Sequence, residues 1–520
     1  MSNLGNRKWW ALGALTLAVM AVGLDGTVLS VALPTLAAAL HASESDLQWF
    51  SSGYLLVLAA AMLPAGLLGD RYGRKKVMLV ALALFGVGSA ACAYAPSAGA
   101  FIAARVVLGL AGAGVIVMAL SALTVLFTRE ERPRAVGIWA AANFLALPLG
   151  PILGGWLLTN YWWGWVFLLN VPVALVGLVA AFALVPESRA PVRPRLDTVG
   201  VVASTAGLVS VTYGLIEAGR NGWTDISALL PIIAGLLVLV GFFLWERRLS
   251  LLPGGQPLVD LALFRSAAFT WGVILAATAG LAMIGVLFTM PQFFQGVQGA
   301  DAMGSGLRLL PLIAGLIVGA VPADRLARLV GAKLTVALGF ALLAAGLLLG
   351  ATTGVGSSGA FIAAWMALVG AGMGFAMATS ASAALSELSQ ERSGVGSAVM
   401  QALQKLGGPF GSAILGSVLS SVYQAHLNLA GLPSTVANVV KESLFAGLAV
   451  AQQLGSPQLL ASVRAAFVQG MDISLVAAVG IAVAGLVLTL IFLPGRTTKA
   501  STTEQLEASP TPHPAGTASS

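Results

Sequence analysis

Cysteine occurs once in this 520-residue chain, at Cys92, and histidine three times, at His41, His426 and His513. One cysteine closes no disulfide and builds no thiolate metal site. The three histidines fall outside the apolar runs, so no histidine metal cluster is legible in the pattern. Charge is scarce too: charged residues make up 9% of the chain, against about 25% in a soluble domain. No Gly-Lys-Ser or Gly-Lys-Thr phosphate loop occurs, which argues against a nucleotide-driven pump. A membrane enzyme is disfavoured on the same grounds. No catalytic residue, metal or cofactor is expected.

What is present is hydrophobic length. The chain is 58% hydrophobic, and apolar runs of about 20 residues, the length a bilayer requires, recur from end to end. Such spans must satisfy their backbone groups internally, so the expected fold class is an all-α membrane protein. Fourteen candidate spans can be drawn, at 9–32, 48–69, 77–95, 99–126, 135–159, 164–185, 198–218, 227–246, 267–290, 303–322, 333–352, 359–381, 394–420 and 472–494. The first is not read as a cleaved signal, because it is long, carries Asp25 and ends at Pro34 without a small-residue cleavage site.

The net charge of +7 is explained by placement. With the N-terminus in the cytoplasm, Arg71, Arg74, Lys75, Lys76, Arg129, Arg132, Arg134, Arg247 and Arg248 all fall inside, with most of the remaining cations. Arg220, Lys441 and Arg464 are left outside, with Arg308 near the start of a span. That asymmetry follows the positive-inside rule and removes the need for a nucleic-acid partner. Both termini are expected to be cytoplasmic.

The two ends of the chain resemble each other. Phe101-Ile102-Ala103-Ala104 recurs as Phe361-Ile362-Ala363-Ala364, and Gly112 and Gly114 recur as Gly372 and Gly374. Asp70-Arg71 is echoed by Asp324-Arg325, and Gly150-Pro151 by Gly408-Pro409. Parallel repeats of this kind are a transporter architecture, with the site between the halves near the midplane. The expected division is a six-helix bundle over 1–190, an inserted helix pair with linkers over 191–262, and a second six-helix bundle over 263–495. The last contains a long outer loop, 424–470, read as short surface helices. Residues 496–520, rich in Ser, Thr, Pro and Ala, read as a disordered cytoplasmic tail.

Asp25 stands nearly alone among the acids at depth in an apolar run. A charge there costs about 2.5–3.5 kcal/mol on insertion scales, and such residues mark ion or substrate paths. The alternative is a satisfied structural carboxylate. Arg105 lies a short way into the fourth span, where snorkelling to the interface is the alternative. Gln401, Gln404 and Lys405 in the thirteenth span either line a cavity or bond helix to helix.

Gly69-Asp70-Arg71-Tyr72-Gly73-Arg74-Lys75-Lys76 packs an acid, two glycines and four cations into one tight turn. This loop resembles the signature of the major facilitator superfamily. The resemblance assigns a charge latch between the halves to Asp70 and Arg74, with Gly69 and Gly73 permitting the turn. Arg105, followed by Val106-Val107-Leu108-Gly109-Leu110-Ala111-Gly112-Ala113-Gly114, resembles the fourth-span motif whose arginine is associated with proton transfer. Gly150-Pro151-Ile152-Leu153-Gly154-Gly155 is similar to the motif that characterises exporters, carried here by Gly150, Pro151, Gly154 and Gly155. Together with Leu24-Asp25 through Pro34, Gln48-Trp49-Phe50, Trp163 through Pro172 and the span count, the pattern resembles the fourteen-span drug:proton antiporters. The implied fold is two six-helix bundles plus an inserted helix pair.

Depth adds one expectation. Asp25 lies about nine residues and Arg105 about six from the outer ends of their spans, which at 1.5 Å per residue differ by only about 5 Å. A pair between them is expected in at least one state. Opposite charge favours an ionised carboxylate and desolvation a neutral one, so a change in water access would switch the balance.

The resulting expectation is a proton-coupled antiporter in the cell membrane that exports bulky, amphipathic, cationic compounds from the cytoplasm. Asp25 and Arg105 would carry the coupling, and Asn143, Phe144, Gln292, Phe293, Phe294 and Lys405 would form candidate pocket walls. Its partners would be the small-molecule substrate, protons and the lipid bilayer, with no nucleic acid and no obligate protein partner. The rivals are a dedicated exporter of one natural product and, in another class, a non-transporting receptor or scaffold.

Overall fold

The computed structural model describes residues 2–128, 131–189, 197–252, 255–386 and 393–494. Among these, twelve helices are long and apolar enough to cross a membrane. The fourteen-span expectation is therefore matched only in part. The two expected spans outside that set, 135–159 and 394–420, are nonetheless helical. The first carries Pro148 and Pro151 and the second Gln401, Gln404 and Lys405.

In chain order the helices are α1 (Ser2–Leu40), α2 (Glu44–Tyr72), α3 (Arg74–Ala93), α4 (Ala98–Leu126), α5 (Arg132–Asn160), α6 (Trp165–Leu168) and α7 (Asn170–Leu184). Then come α8 (Thr198–Asn221), α9 (Ile226–Leu251), α10 (Ala267–Gln292), α11 (Ala302–Arg308), α12 (Leu310–Val330) and α13 (Ala332–Gly350). The last are α14 (Gly359–Ser386), α15 (Ser393–His426), α16 (Ser434–Glu442), α17 (Leu444–Gln453) and α18 (Pro457–Phe492). No strand occurs among the described residues.

Local chemistry sets the helix ends. Ser43 caps α2 in a reciprocal box: its Oγ accepts from the Asp46 amide at 3.2 Å, and its own amide donates to Asp46 Oδ2 at 3.0 Å. Ser97 and Asp301 cap α4 and α11 in the simpler way. The α2–α3 and α12–α13 turns each pivot on a glycine at positive φ, Gly73 at 115° and Gly331 at 94°, a region costly for residues with a Cβ. These two turns correspond in the repeat. Asp324 lies one helical turn further from its glycine than Asp70 does, so the Asp-Arg echo is offset.

The repeat is clearest in the packing. In the first half α1 packs on α5 and α7, α2 on α4, and α3 on α4 and α7. In the second half α10 packs on α15 and α18, α12 on α14, and α13 on α14 and α18. Each half buries its own apolar core. Helices α8 and α9 pack on each other, and α8 lies against α2 and α15. Beyond α15 the chain forms α16 and α17, with Val440 and Leu444 buried in the second core. Helix α18 then starts at Pro457, capped by Ser456, well before the expected residue 472. Residues 495–520, including the expected tail, lie outside the described residues.

Candidate functional site

Asp25 is 3% exposed and Arg105 is fully buried. Arg105 Nη1 donates to Asp25 Oδ2, closing a buried ion pair between α1 and α4. The remaining valences are filled from three further helices. Asn170 at the start of α7 donates from Nδ2 to Asp25 Oδ1 at 3.2 Å and to Ser89 Oγ of α3 at 3.2 Å. Arg105 Nε donates to the Phe50 carbonyl of α2 at 3.1 Å. A buried ion pair repays its desolvation only when such additional bonds are made.

Tyr54 completes the cluster. Its ring lies 4.1 Å from the Arg105 guanidinium, a cation–π contact strengthened by exclusion of water. Its hydroxyl donates to the Val22 carbonyl of α1 at 3.0 Å. The other side of Tyr54 faces a cavity of about 390 Å³ between the bundles, within the size range of small-molecule sites. Its walls come from α1 (Val22, Gly23, Gly26, Thr27), α2 (Tyr54, Leu55, Leu58), α10 (Met283, Ile284) and α15 (Gln401, Gln404, Lys405), with further residues from α4 and α5. A second cavity of about 210 Å³ shares Met283 and Gln404 and extends to Leu316 and Met377. Neither Asp25 nor Arg105 lines either cavity. The ion pair sits one side-chain layer behind the wall.

The other expected site residues divide. Lys405 lines the larger cavity. Gln292, Phe293 and Phe294 line neither cavity and are buried instead. The chain continues past α10 as a π turn, Phe293–Val297, that sinks both rings into the second core. Asn143 and Phe144 fall on α5, but their side chains lie outside the described residues. Asp70 and Arg74 pair across the Gly73 turn, at 2.9 Å to Arg74 Nη2 and 3.0 Å to Nε. The Arg74 amide donates to the Ser188 carbonyl, and the Lys75 amide to Glu187, so these contacts all run within the first bundle. Gly150 and Gly154 let α5 cross α1. A Cβ on Gly154 would stand 3.0 Å from Val28 Cγ1. Gly155 faces α11 of the other half, where a Cβ would lie 2.7 Å from the Ala302 carbonyl oxygen.

The halves meet along a seam at the end carrying the start of α2, the end of α5 and α11. Ser52 and Ser412 hydroxyls lie 2.7 Å apart, and Ser417 donates to Gln48 at 3.3 Å. Gln295 donates to the Val31 carbonyl at 3.0 Å, and the Met303 amide to Thr159 at 3.3 Å. Glu44, 4% exposed, accepts from Gln292 Nε2 at 3.3 Å. Gln292 Oε1 is buried without a partner among the described residues. Sequence reasoning passed over Glu44 because His41 to Asp46 reads as a polar capping turn. It also gave no role of their own to Tyr54 and Asn170, which are neutral and common in spans.

A family model for the Major Facilitator Superfamily matches residues 15–412 of the chain. The tetracenomycin C resistance and export protein of Streptomyces glaucescens is 35% identical over 421 residues, covering 81% of this chain and 77% of that one. The multidrug efflux pump LfrA of Mycolicibacterium smegmatis is 33% identical over 475 residues, covering 89% and 92%. Among solved structures, a bacterial homologue of the human lysosomal transporter Spinster, inward-facing and unoccupied, superposes with a TM-score of 0.67 at 17% identity. It covers 95% of this chain and 99% of that one.

Proposed function

Because this chain belongs to the Major Facilitator Superfamily, we propose that it is a proton-coupled antiporter that exports bulky, amphipathic drugs from the cytoplasm. Its multidrug efflux and antibiotic-export relatives support the export reading. The observation that carries the coupling is the Asp25–Arg105 ion pair, held behind the wall of the central cavity. Helices α5 and α15 complete fourteen spans. The bundles then run over 1–190 and 263–495 with the pair over 191–262 inserted, and both termini face the cytoplasm of a plasma-membrane protein.

In that orientation the closed seam is the outer one, and the cavity serves the cytoplasmic side. Protonation of Asp25 removes its charge, leaves Arg105 without its counter-ion and loosens the contacts that Tyr54 and Asn170 make around the pair. Asp25 takes its proton from outside and releases it inside, where the membrane field contributes about 2.3 kcal/mol per charge per 100 mV. Asp70 and Arg74 latch the cytoplasmic ends in the alternative state. Gly150, Pro151, Gly154 and Gly155 let α5 slide against α1 and α11 between the two.

The test is dye uptake into inverted vesicles on imposing a pH gradient. Gradient-dependent uptake is expected from the wild type and absent from Asp25→Asn. Equal uptake by the two would remove the carrier role. A second reading, a dedicated exporter of one natural product, is favoured by the likeness to the tetracenomycin C export protein. Competition among unrelated dyes for one uptake route separates the two readings.

A further inference from the structure

The larger cavity has one charged side chain in its wall among the described residues, and it is a cation. Lys405 of α15 lines the cavity and is exposed to it. It has no hydrogen-bond or ion-pair partner among the described residues. An ammonium within a membrane-embedded bundle is ordinarily paired with an acid or a carbonyl. No carboxylate lines the cavity among the described residues. The nearby acid, Asp25, is already neutralised by Arg105 and shut behind the Tyr54 ring.

Lys405 also has polar company on its own face. Gln401 and Gln404 line the same wall, four and one positions back along the helix, and the four-residue spacing puts Gln401 on the same helix face as Lys405. The same lining includes Tyr54, Leu55, Met283 and Ile284, an apolar and adaptable surface, since methionine repacks readily around varied shapes. The cavity thus combines an apolar lining with one cation and two amides.

We infer that the cavity selects amphipathic compounds carrying an acidic group, a carboxylate, sulfonate or phenolate, with Lys405 as the counter-ion and Gln401 and Gln404 as hydrogen-bond partners. This rests on the cavity being the export site, and it departs from the cationic substrates that the sequence pattern raised. Bound in this way, the ligand supplies the charge that the protein leaves unpaired.

The experiment uses the full-length protein in detergent and two dyes with the same xanthene ring system, anionic fluorescein and cationic rhodamine 6G, with binding read by fluorescence anisotropy. The wild type is expected to bind fluorescein at least tenfold more tightly than rhodamine 6G. Lys405→Gln should weaken fluorescein binding about tenfold while strengthening rhodamine 6G, Lys405→Arg should keep the wild-type order, and Lys405→Glu should reverse it. Failure of the wild type to bind fluorescein overturns the inference, as does an equal effect of Lys405→Gln on both dyes or none on either. Binding in detergent needs no transport. The expected binding order without gradient-driven dye movement in vesicles would sink the export reading and leave this inference standing. Transport with no charge discrimination would do the reverse.

Discussion

The Tyr54 ring lies 4.1 Å from the Arg105 guanidinium and forms part of the cavity wall in front of it. One aromatic ring thereby separates the cavity from the buried ion pair. Tyr54→Phe keeps the stacking and loses only the bond to the Val22 carbonyl. Transport near the wild-type level is expected. Tyr54→Ala removes a contact worth about 0.5–2 kcal/mol and opens the pair to the cavity. Gradient-driven dye uptake should fall at least tenfold, and Asp25 should become reactive toward a water-soluble carbodiimide. Unchanged labelling in Tyr54→Ala would rule out the shielding role.

Arg105→Ala is expected to destabilise the protein by about 3–5 kcal/mol, because it leaves an uncompensated charge in the interior. Asp25→Asn in the same chain removes that charge and should restore much of the loss. Thermal unfolding in detergent of both single variants and the double variant measures the coupling. Additive losses would mean that the two residues do not act as a pair.

At the seam between the halves, Gln292 offers Glu44 one donor bond and keeps a carbonyl oxygen without a partner among the described residues. Glu44→Gln supplies an amide that can donate to that oxygen, so the seam should close more firmly and turnover should slow severalfold. Glu44→Ala should open it. Spin-label distances across the ends of α2 and α10 report both changes. The same distances in all three proteins would show that this contact does not control the seam.

Gly155→Val places side-chain carbon where the Ala302 carbonyl stands 2.7 Å from an ideal Cβ. Such overpacking costs about 1–3 kcal/mol, and here it falls on the contact between the halves. The variant should insert normally, populate the state with that seam open and lose at least nine-tenths of its transport. Full transport with an unchanged seam distance would contradict this.

Much of the fold was legible because few forces shape it. Runs of apolar residues at bilayer length, and cations sorted to one side, are read directly from composition. The meeting of Asp25 and Arg105 followed from two charges placed at matched depth in apolar runs. The rest depended on how the bundles face each other, which local pattern does not encode. Phe293 and Phe294 resembled pocket walls, but a π turn after α10 buries them in the second core. Glu44 stands at a helix start that reads as exposed, and the second half, which brings Gln292 to it, leaves it buried. The Gly73 and Gly331 turns correspond, yet Asp324 sits a turn away from the place of Asp70, an offset seen only once the turns are aligned in space.

In the proposed transport cycle Asp25 carries the proton exchanged for substrate. The most direct measurement is the proton released when a transported dye binds the purified protein in weakly buffered detergent solution, followed with a pH indicator. The wild type should release protons on binding, and Asp25→Asn should bind the dye and release none. Equal proton release from the two proteins would contradict the account.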